Sequence, residues 1–110
     1  MIKEPKKFKT GDIVTLKMAT GEEVIGYFTD DNGTDVILRK PVVPVPTGQG
    51  QMGLAPFIMS SSYLDDGESL EFSRAHIVTS AKTSKQFADV YTQQVSGLDL
   101  STTSKPGLII

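Results

Sequence analysis

Residues 14–28 constrain the fold of this chain more than any other segment, because alternating apolar residues and two glycines describe a tightly bent β-hairpin. Side chains alternate between the two faces of a strand, so the apolar residues of each strand share one face. Gly21 lies in the predicted turn, where a positive φ carries no Cβ penalty. Gly26 lies inside the second strand, where a missing side chain lets the strand bend or lets another backbone approach. The apolar positions are Val14, Leu16 and Met18 in the first strand, and Val24 and Phe28 in the second.

Three strands are predicted in the first part of the chain, over residues 13–18, 23–29 and 35–40. Asn32-Gly33 is a two-residue hairpin signal, so the second and third strands should be antiparallel neighbours. Residues 41–62 are rich in proline and glycine. Because proline removes a ladder donor, this stretch predicts an extended hairpin insert that begins as an edge continuation of the third strand.

The closing strands are predicted at residues 69–72 and 76–80, after a tight turn at residues 65–68. Periodicity alone does not decide whether residues 54–62 or residues 69–72 form the fourth strand, and both alternatives stand at this point. Residues 69–80 contain no proline that would block pairing along an exposed edge. The closing strands are therefore open to pairing with another chain.

One helix is predicted over residues 84–97, with Thr83 or Ser84 as its N-cap and Gly97 as its end. Apolar residues repeat along it at helical spacing, so one face should dock onto the sheet or onto a neighbouring chain. A polar tail follows over residues 98–110. The apolar stripe consists of Phe87, Tyr91, Val95 and Leu98.

The composition describes one domain without general affinity for polyanions. A chain of 110 residues buries about two thirds of its unfolded surface, which is enough for one core. With 11 basic and 13 acidic side chains and a pI near 5.3, the mean field repels phosphate, so a nucleic-acid site has to be local. Residues 1–10 are rich in lysine, and this composition predicts either a solvated arm or a phosphate-binding arm.

Cysteine is absent, which excludes disulfides, thiolate metal sites and cysteine nucleophiles. The sequence contains neither an apolar run of membrane-spanning length nor a signal-peptide pattern. We therefore expect a cytoplasmic protein that does not contact a membrane.

No residue pattern indicates an enzyme, a metal centre or a bound cofactor. His76 is the one histidine, so neither a His-based metal site nor a Ser-His-Asp relay can draw on a second imidazole. The carboxylates at 30–35 and 65–68 stand beside glycines, as in ordinary turns. Serines 60–62 lack the flanking glycines of a nucleophile elbow, and residues 47–53 lack the Lys-Ser/Thr that ends a phosphate-binding loop. We predict no catalytic residues, no metal and no cofactor.

Residues 14–38 resemble the first motif of the Sm and Sm-like (LSm) proteins in the spacing of their apolar residues and in the positions of Gly21 and Gly26. Asp35-Val-Ile-Leu38 resembles the end of that motif. Residues 72–78 resemble the short second motif, in which an Arg-Gly pair precedes the last strand. The order of core, Pro/Gly-rich insert and C-terminal helix is similar to the Sm-like proteins of T4-like marine phages and cyanophages. The resemblance implies a mainly β fold, an Sm-like, SH3-type barrel of five strongly bent antiparallel strands, with the two motifs at residues 11–40 and 69–80.

The same resemblance implies a homo-oligomeric ring. In Sm-like proteins the fourth strand of one subunit pairs with the fifth strand of the next, a heterologous contact that closes when the rotation allows. The alternative from the residues alone is a monomer whose helix covers the edge. The ring size, whether pentamer, hexamer or heptamer, does not follow from the sequence. Carried onto this chain, the subunit interface includes Leu70, Phe72, Ile77 and Val78.

The resemblance also implies a site for single-stranded RNA at the inner rim of the ring. The family holds the RNA with a stacking residue, an Asn and the Arg of the second motif. Arg74 matches the Arg, Asp35 falls where the Asn would be, and Ala75 falls where the Gly would be, with His76 beside it. An ionised carboxylate offers only acceptors and repels phosphate. The alternative is an Arg74–Asp35 salt bridge that binds nothing.

The expected function is that of a phage-type Sm-like ring protein, in the host cytoplasm, that binds RNA or assists RNA metabolism without catalysis. The alternative is an oligomeric assembly module that binds no RNA. A third option is a single-strand binder of the OB type, which would stack bases on exposed aromatic side chains such as Tyr27 and Tyr63.

Overall fold

The computed structural model describes residues 8–101 of the chain, with side chains as far as Val95. This part is mainly β, as predicted: one antiparallel sheet with a C-terminal helix. Most of the lysine-rich arm and residues 102–110 lie outside the described residues. The strands are β1 (Ile13–Met18), β2 (Glu23–Asp31), β3 (Asp35–Gly48), β4 (Gln51–Pro56), β5 (Ser69–Ser73) and β6 (Ile77–Lys82), and the helices are α1 (Tyr63–Asp66) and α2 (Lys85–Ser101).

The sheet is built around the long strand β3. One edge of β3 pairs with β2, which pairs with β1, which pairs with β6. The other edge pairs with β5 along Asp35–Arg39 and with β4 along Val42–Gly48. Both candidates for the fourth strand are therefore strands, each covering a different half of β3.

The prediction of a five-stranded closed barrel is wrong in two respects. The sheet has six strands, because the segment after Gly50 pairs with β3 as β4. In addition, no ladder between residues 8 and 101 joins β6 to β4 or β5, so the sheet stays open. The physical reason for the sixth strand is the length of β3, which offers a second stretch of unpaired backbone groups beyond β5.

Gly26 lies in the middle of β2, where β3 passes closest. A Cβ built on Gly26 would lie 3.1 Å from the Cβ of Leu38 and 3.2 Å from the Cα of Pro41. Such distances are shorter than nearly all Cβ contacts, so a side chain here would push the two strands apart, and glycine lets the two backbones approach. The β2–β3 register also shifts twice along this stretch, and such irregularities increase the bending of a strand.

One face of the sheet carries the main hydrophobic core. The alternation predicted for β1 and β2 is confirmed, because Val14 and Leu16 share this face with Val24 and Phe28. The ring of Phe8 packs on that of Phe28, with 5.6 Å between centroids. The buried members of the cluster are Phe8, Val14, Leu16, Val24, Phe28, Val36, Leu38 and Phe72.

A bend in β3 at Lys40 and Pro41 separates its two halves. Lys40 has a positive φ of 52°, an uncommon conformation for a residue with a side chain. The hydroxyl of Tyr91 donates a hydrogen bond to the carbonyl of Lys40 at 2.8 Å, and the hydroxyl of Tyr63 donates to the carbonyl of Pro41. Two buried tyrosines thus satisfy consecutive carbonyls at the bend, where an unpaired group would destabilise the fold.

The opposite face of the sheet carries a second, smaller core that holds α2. The predicted docking face of the helix is confirmed for Tyr91 and Val95, which are buried, and Phe87 packs against the same cluster. The side chain of Leu98 lies outside the described residues. The predicted end at Gly97 is wrong, because α2 continues to Ser101. The buried members of this core are Ile25, Val42, Leu54, Tyr91 and Val95.

The prediction of a single helix is also wrong, because the segment between β4 and β5 contains α1. This one-turn helix ends at Gly67 in the left-handed region, with φ of 70°. Tyr63 begins the helix and is 1% exposed, and its hydroxyl accepts a hydrogen bond from the Phe57 N–H at 2.7 Å. The tight turn predicted at residues 65–68 is instead the second half of α1 with its left-handed end at Gly67, and the anchoring role of Tyr63 is not predicted from the sequence.

Candidate nucleic-acid interface and sheet edges

The connection from β5 to β6 is a single 3-10 turn, Arg74–His76, which joins two distant parts of the sheet. At one end, the Arg74 N–H donates to the carbonyl of Thr34, in the β2–β3 turn, at 2.9 Å. At the other end, the His76 carbonyl accepts from the Ala19 N–H, in the β1–β2 turn, at 2.7 Å. One three-residue segment therefore contacts the turns that flank both ends of β2.

That contact requires β2 to be strongly curved. Nine extended residues span roughly 26 Å, whereas three residues reach at most about 11 Å. The two ends of β2 can meet the same short turn only if the strand curls back toward itself. Gly26, at its middle, is the position where the chain lacks the side chain that would resist this curvature. The sheet thus curls strongly, although β5 and β6 do not pair.

Arg74 forms its ion pair with Asp31 and not with Asp35. The Arg74 Nε lies 3.6 Å from the Asp31 Oδ1, and the arginine side chain is 47% exposed. Asp31 also accepts a hydrogen bond from the Gly33 N–H at 3.0 Å. The predicted alternative of an Arg74–Asp35 pair is therefore wrong, and the partner is supplied by the end of β2. The guanidinium retains donors that face solvent.

The structure brings the predicted rim residues to one end of the molecule. Asp35 begins β3 directly opposite Ser73, the residue before Arg74. Ala75 and His76 follow in the exposed turn, where the Ala75 N–H donates to the Ser73 hydroxyl at 3.3 Å. Their proximity does not by itself identify a ligand, and their assignment to RNA stays a prediction.

The aromatic residues proposed for an OB-type stacking surface are engaged within the chain. Tyr63 is buried at the bend of β3. Tyr27 lies between the ring of Tyr91, at 5.1 Å, and the guanidinium of Arg39, at 5.2 Å. These contacts do not favour base stacking as the function of either tyrosine.

The four predicted interface residues divide into core and surface. Leu70, Phe72 and Ile77 pack against the main core, and the Phe72 ring contacts that of Phe57 at 5.2 Å. Val78 is 66% exposed on β6. Within residues 8–101, β5 pairs with β3 alone and β6 pairs with β1 alone, so each leaves one edge open. The exposed backbone edges and Val78, rather than the buried side chains, are what these strands offer to a partner.

Two surface features go beyond the sequence analysis, which omits the first and interprets most of the second only as an ordinary turn. Ile58 and Met59, in the loop after β4, are 40% and 72% exposed, respectively. Four acidic residues, Asp65, Asp66, Glu68 and Glu71, are exposed along α1 and β5. The acidic cluster could have been found from the sequence, since residues 41–73 contain no basic residue.

A cleft of about 180 Å³ lies between the sheet and the start of α2. Its polar groups include the Thr15 and Thr83 hydroxyls, which bond each other at 2.8 Å. Its carboxylate, Glu23, lies 3.9 Å from the Lys17 ammonium. This lining offers no pair of groups for acid–base chemistry. The lining residues are Thr15, Glu23, Ile25, Pro44, Thr83, Ser84 and Phe87.

Among residues 8–101, no cluster of three or more His, Cys, Asp or Glu side chains is arranged to hold a metal ion. None of the helices in that range combines the length and apolarity that a bilayer-spanning helix needs. Comparison with known proteins finds neither a family model nor a curated sequence that matches the chain.

Proposed function

We propose that this chain is a phage-type Sm-like subunit that assembles edge to edge into a homo-oligomeric ring and binds single-stranded RNA without catalysis. The observation that carries the proposal is the turn Arg74–His76, which links the two ends of the curled strand β2. The strand order β5-β3-β2-β1-β6 supports it as well, with β4 as the extension that the Pro/Gly-rich insert would provide. In this arrangement Arg74 stands on the rim of each subunit.

The ring follows from the two open edges. An unpaired edge of an antiparallel sheet is a template for another strand. Because β5 and β6 lie at opposite edges, joining β5 of one copy to β6 of the next is a heterologous contact, which repeats until the ring closes.

A second candidate function, an assembly module that binds no RNA, is favoured by one observation. The Asp31 carboxylate already pairs with Arg74 and adds negative charge where a phosphate would approach. Asp35 adds a second carboxylate nearby. The two candidates share the ring and differ in whether RNA binds to it.

Replacing Val78 with Glu should dissociate the ring. Wild-type protein should scatter light as a multiple of 11.9 kDa. The Val78→Glu change should raise the dissociation constant at least about tenfold, because a carboxylate at the strand edge would be desolvated without a partner. Gln93→Glu, on the exposed side of α2, is the control with the same charge change. A wild-type mass of one chain at micromolar concentration would contradict the ring.

Removing Arg74 should weaken RNA binding. In a fluorescence anisotropy titration with oligo-U, Arg74→Ala should lower the affinity about tenfold or more, because a charge-assisted hydrogen bond is lost. Asp31→Asn and Asp35→Asn should each raise the affinity by removing repulsion of phosphate. Arg39→Ala, which removes the same charge from beside Tyr27, is the control.

Two outcomes of that titration would redirect the proposal. Tight binding that is unaffected by Arg74→Ala would place the RNA surface elsewhere. No binding of oligo-U, oligo-A or single-stranded DNA by an intact ring would select the assembly module.

A further inference from the structure

We propose that an electrostatic clamp fixes the register between neighbouring copies of this chain: Lys82 and Lys85 of one copy contact the acidic residues of α1 and β5 in the next. The inference rests on the proposed ring and names the side chains that orient its subunits.

Strand direction determines which ends meet. If β6 of one copy adds to β5 of another in an antiparallel sense, the C-terminal end of β6 lies beside the N-terminal end of β5. Lys82 ends β6, and Lys85 begins α2 three residues later. Ser69 begins β5, directly after Glu68 and helix α1. The lysines of one copy therefore arrive beside the carboxylates of the other.

The charges at those two places are complementary. Asp65, Asp66, Glu68 and Glu71 are exposed along the α1–β5 edge. Two basic side chains from β3 lie nearby: that of Lys40 is buried and reaches the edge with its Cε close to Gly67, and that of Arg39 stands over Tyr27. With four exposed carboxylates and one buried lysine beside them, the edge keeps a net negative charge.

The two lysines are able to change partners. Their side chains are 68% and 87% exposed, respectively. Within the chain, the Lys82 Nζ lies 3.8 Å from Asp12, and the Lys85 Nζ lies 3.1 Å from Asp89. Such exposed pairs contribute little to stability and are screened by salt. An ammonium group also has three donors, so a second carboxylate can bind without loss of the first.

The same charges oppose the parallel alternative. In a parallel pairing, the end of β6 would lie beside the end of β5, so Lys82 would meet Arg74. Like charges in that position repel. The clamp therefore selects the antiparallel register as well as strengthening it.

The test is a charge reversal with rescue, measured by light scattering over a dilution series of the full chain. Lys82→Glu with Lys85→Glu should raise the dissociation constant at least about tenfold at low salt. Adding Asp65→Lys and Glu68→Lys to that double variant should restore assembly. Lys9→Glu with Lys17→Glu makes the same change of net charge at two exposed lysines that take no part in the proposed contact, and it is the control. Circular dichroism melting of each variant verifies folding.

The outcomes separate the clamp from the ring. Loss of assembly in the Lys82/Lys85 variant, with rescue by the second reversal, supports the clamp. If the wild type forms a ring but the control variant loses assembly to the same extent, the clamp is wrong. The clamp is also wrong if the second reversal does not restore assembly. In both cases the proposal of a ring still stands. A wild-type chain that stays monomeric overturns both.

Discussion

Replacing Tyr91 with Ala should lower the free energy of unfolding by about 3–5 kcal/mol, since a buried aromatic side chain leaves a cavity that the surroundings fill only in part. Tyr91 is fully buried between α2 and the sheet, and its hydroxyl holds the carbonyl of Lys40. Tyr91→Phe keeps the ring and should cost about 1–3 kcal/mol, because the Lys40 carbonyl is left without its donor. Urea denaturation of both variants gives the two values.

The control for Tyr91 is an exposed position on the same helix. Gln93→Ala should change the unfolding free energy by less than about 0.5 kcal/mol. If Tyr91→Ala cost no more than Gln93→Ala, α2 would not be docked on the sheet in solution.

The pH dependence of stability gives a second measurement for Tyr91. Burial raises its pKa above the usual value of 10.0. The folded state therefore keeps the hydroxyl proton to higher pH than the unfolded state, and this contribution to stability is complete below pH 10 and is lost as the pH rises above it. Burial raises the pKa of Tyr63 in the same direction. Tyr91→Phe should accordingly reduce the slope of stability against pH in that alkaline range.

Replacing Gly26 with Ala should lower the free energy of unfolding by about 1–3 kcal/mol, and Gly26→Val should lower it further, through overpacking. The added Cβ would lie 3.2 Å from the Cα of Pro41, a backbone atom that cannot turn away. A side chain at Gly26 would push β2 and β3 apart where the sheet curls. The hydrogen bonds between the Arg74–His76 turn and the turns at the two ends of β2 should therefore weaken as well.

Gly53→Ala is the matched control for Gly26. A Cβ at Gly53 meets only the Thr47 methyl group, at the exposed tip of the β3–β4 hairpin. Thermal melts of the two alanine variants test the difference. Equal melting temperatures would contradict the view that Gly26 is needed for backbone contact.

The local part of the fold could be predicted because its signals are local. The alternation in residues 14–28, the turn at Asn32-Gly33 and the cap near Ser84 each depend on neighbours in sequence. The structure places β1, β2 and the start of α2 close to the predicted bounds. Gly26 was singled out for the same reason, because a glycine within a strand pattern calls for a specific explanation.

The rest of the fold depends on contacts between residues that are distant in sequence, and hydrophobic periodicity carries no information about such contacts. The sequence predicts that an edge continuation of the third strand passes through the prolines at 44 and 46, and β3 does so, but it ends later, at Gly48. Since they are two residues apart, both nitrogens face the same edge, and the ladder with β4 can use the donors of Val43 and Val45. Likewise, α2 passes Gly97 and continues to Ser101, because a glycine lowers helix propensity by only about 1 kcal/mol and does not by itself end a helix.

The location of the candidate site could be predicted from the sequence, but the ion pairs between its side chains could not. Residues 35 and 74–76 do lie at one end of the molecule. Arg74 pairs with Asp31, which is 43 positions away in the sequence, and local patterns do not report such a contact. The positions of the exposed apolar loop at Ile58 and of the acidic edge at α1 depend on how the chain runs from β4 through α1 to β5. The sequence did not decide that course, because either residues 54–62 or residues 69–72 could form the fourth strand.

The two tyrosine hydroxyls at the bend of β3 impose an order on folding. Tyr63 and Tyr91 lie 22 and 51 positions, respectively, from the carbonyls they hold. During synthesis the first three strands can pair while both tyrosines are still unmade, which leaves the bend incompletely bonded. Contacts of such sequence separation form slowly, because a long loop has to close before they can be made. The hydrogen bonds at Lys40 and Pro41 can therefore be completed only after the residues of the C-terminal helix have been synthesised.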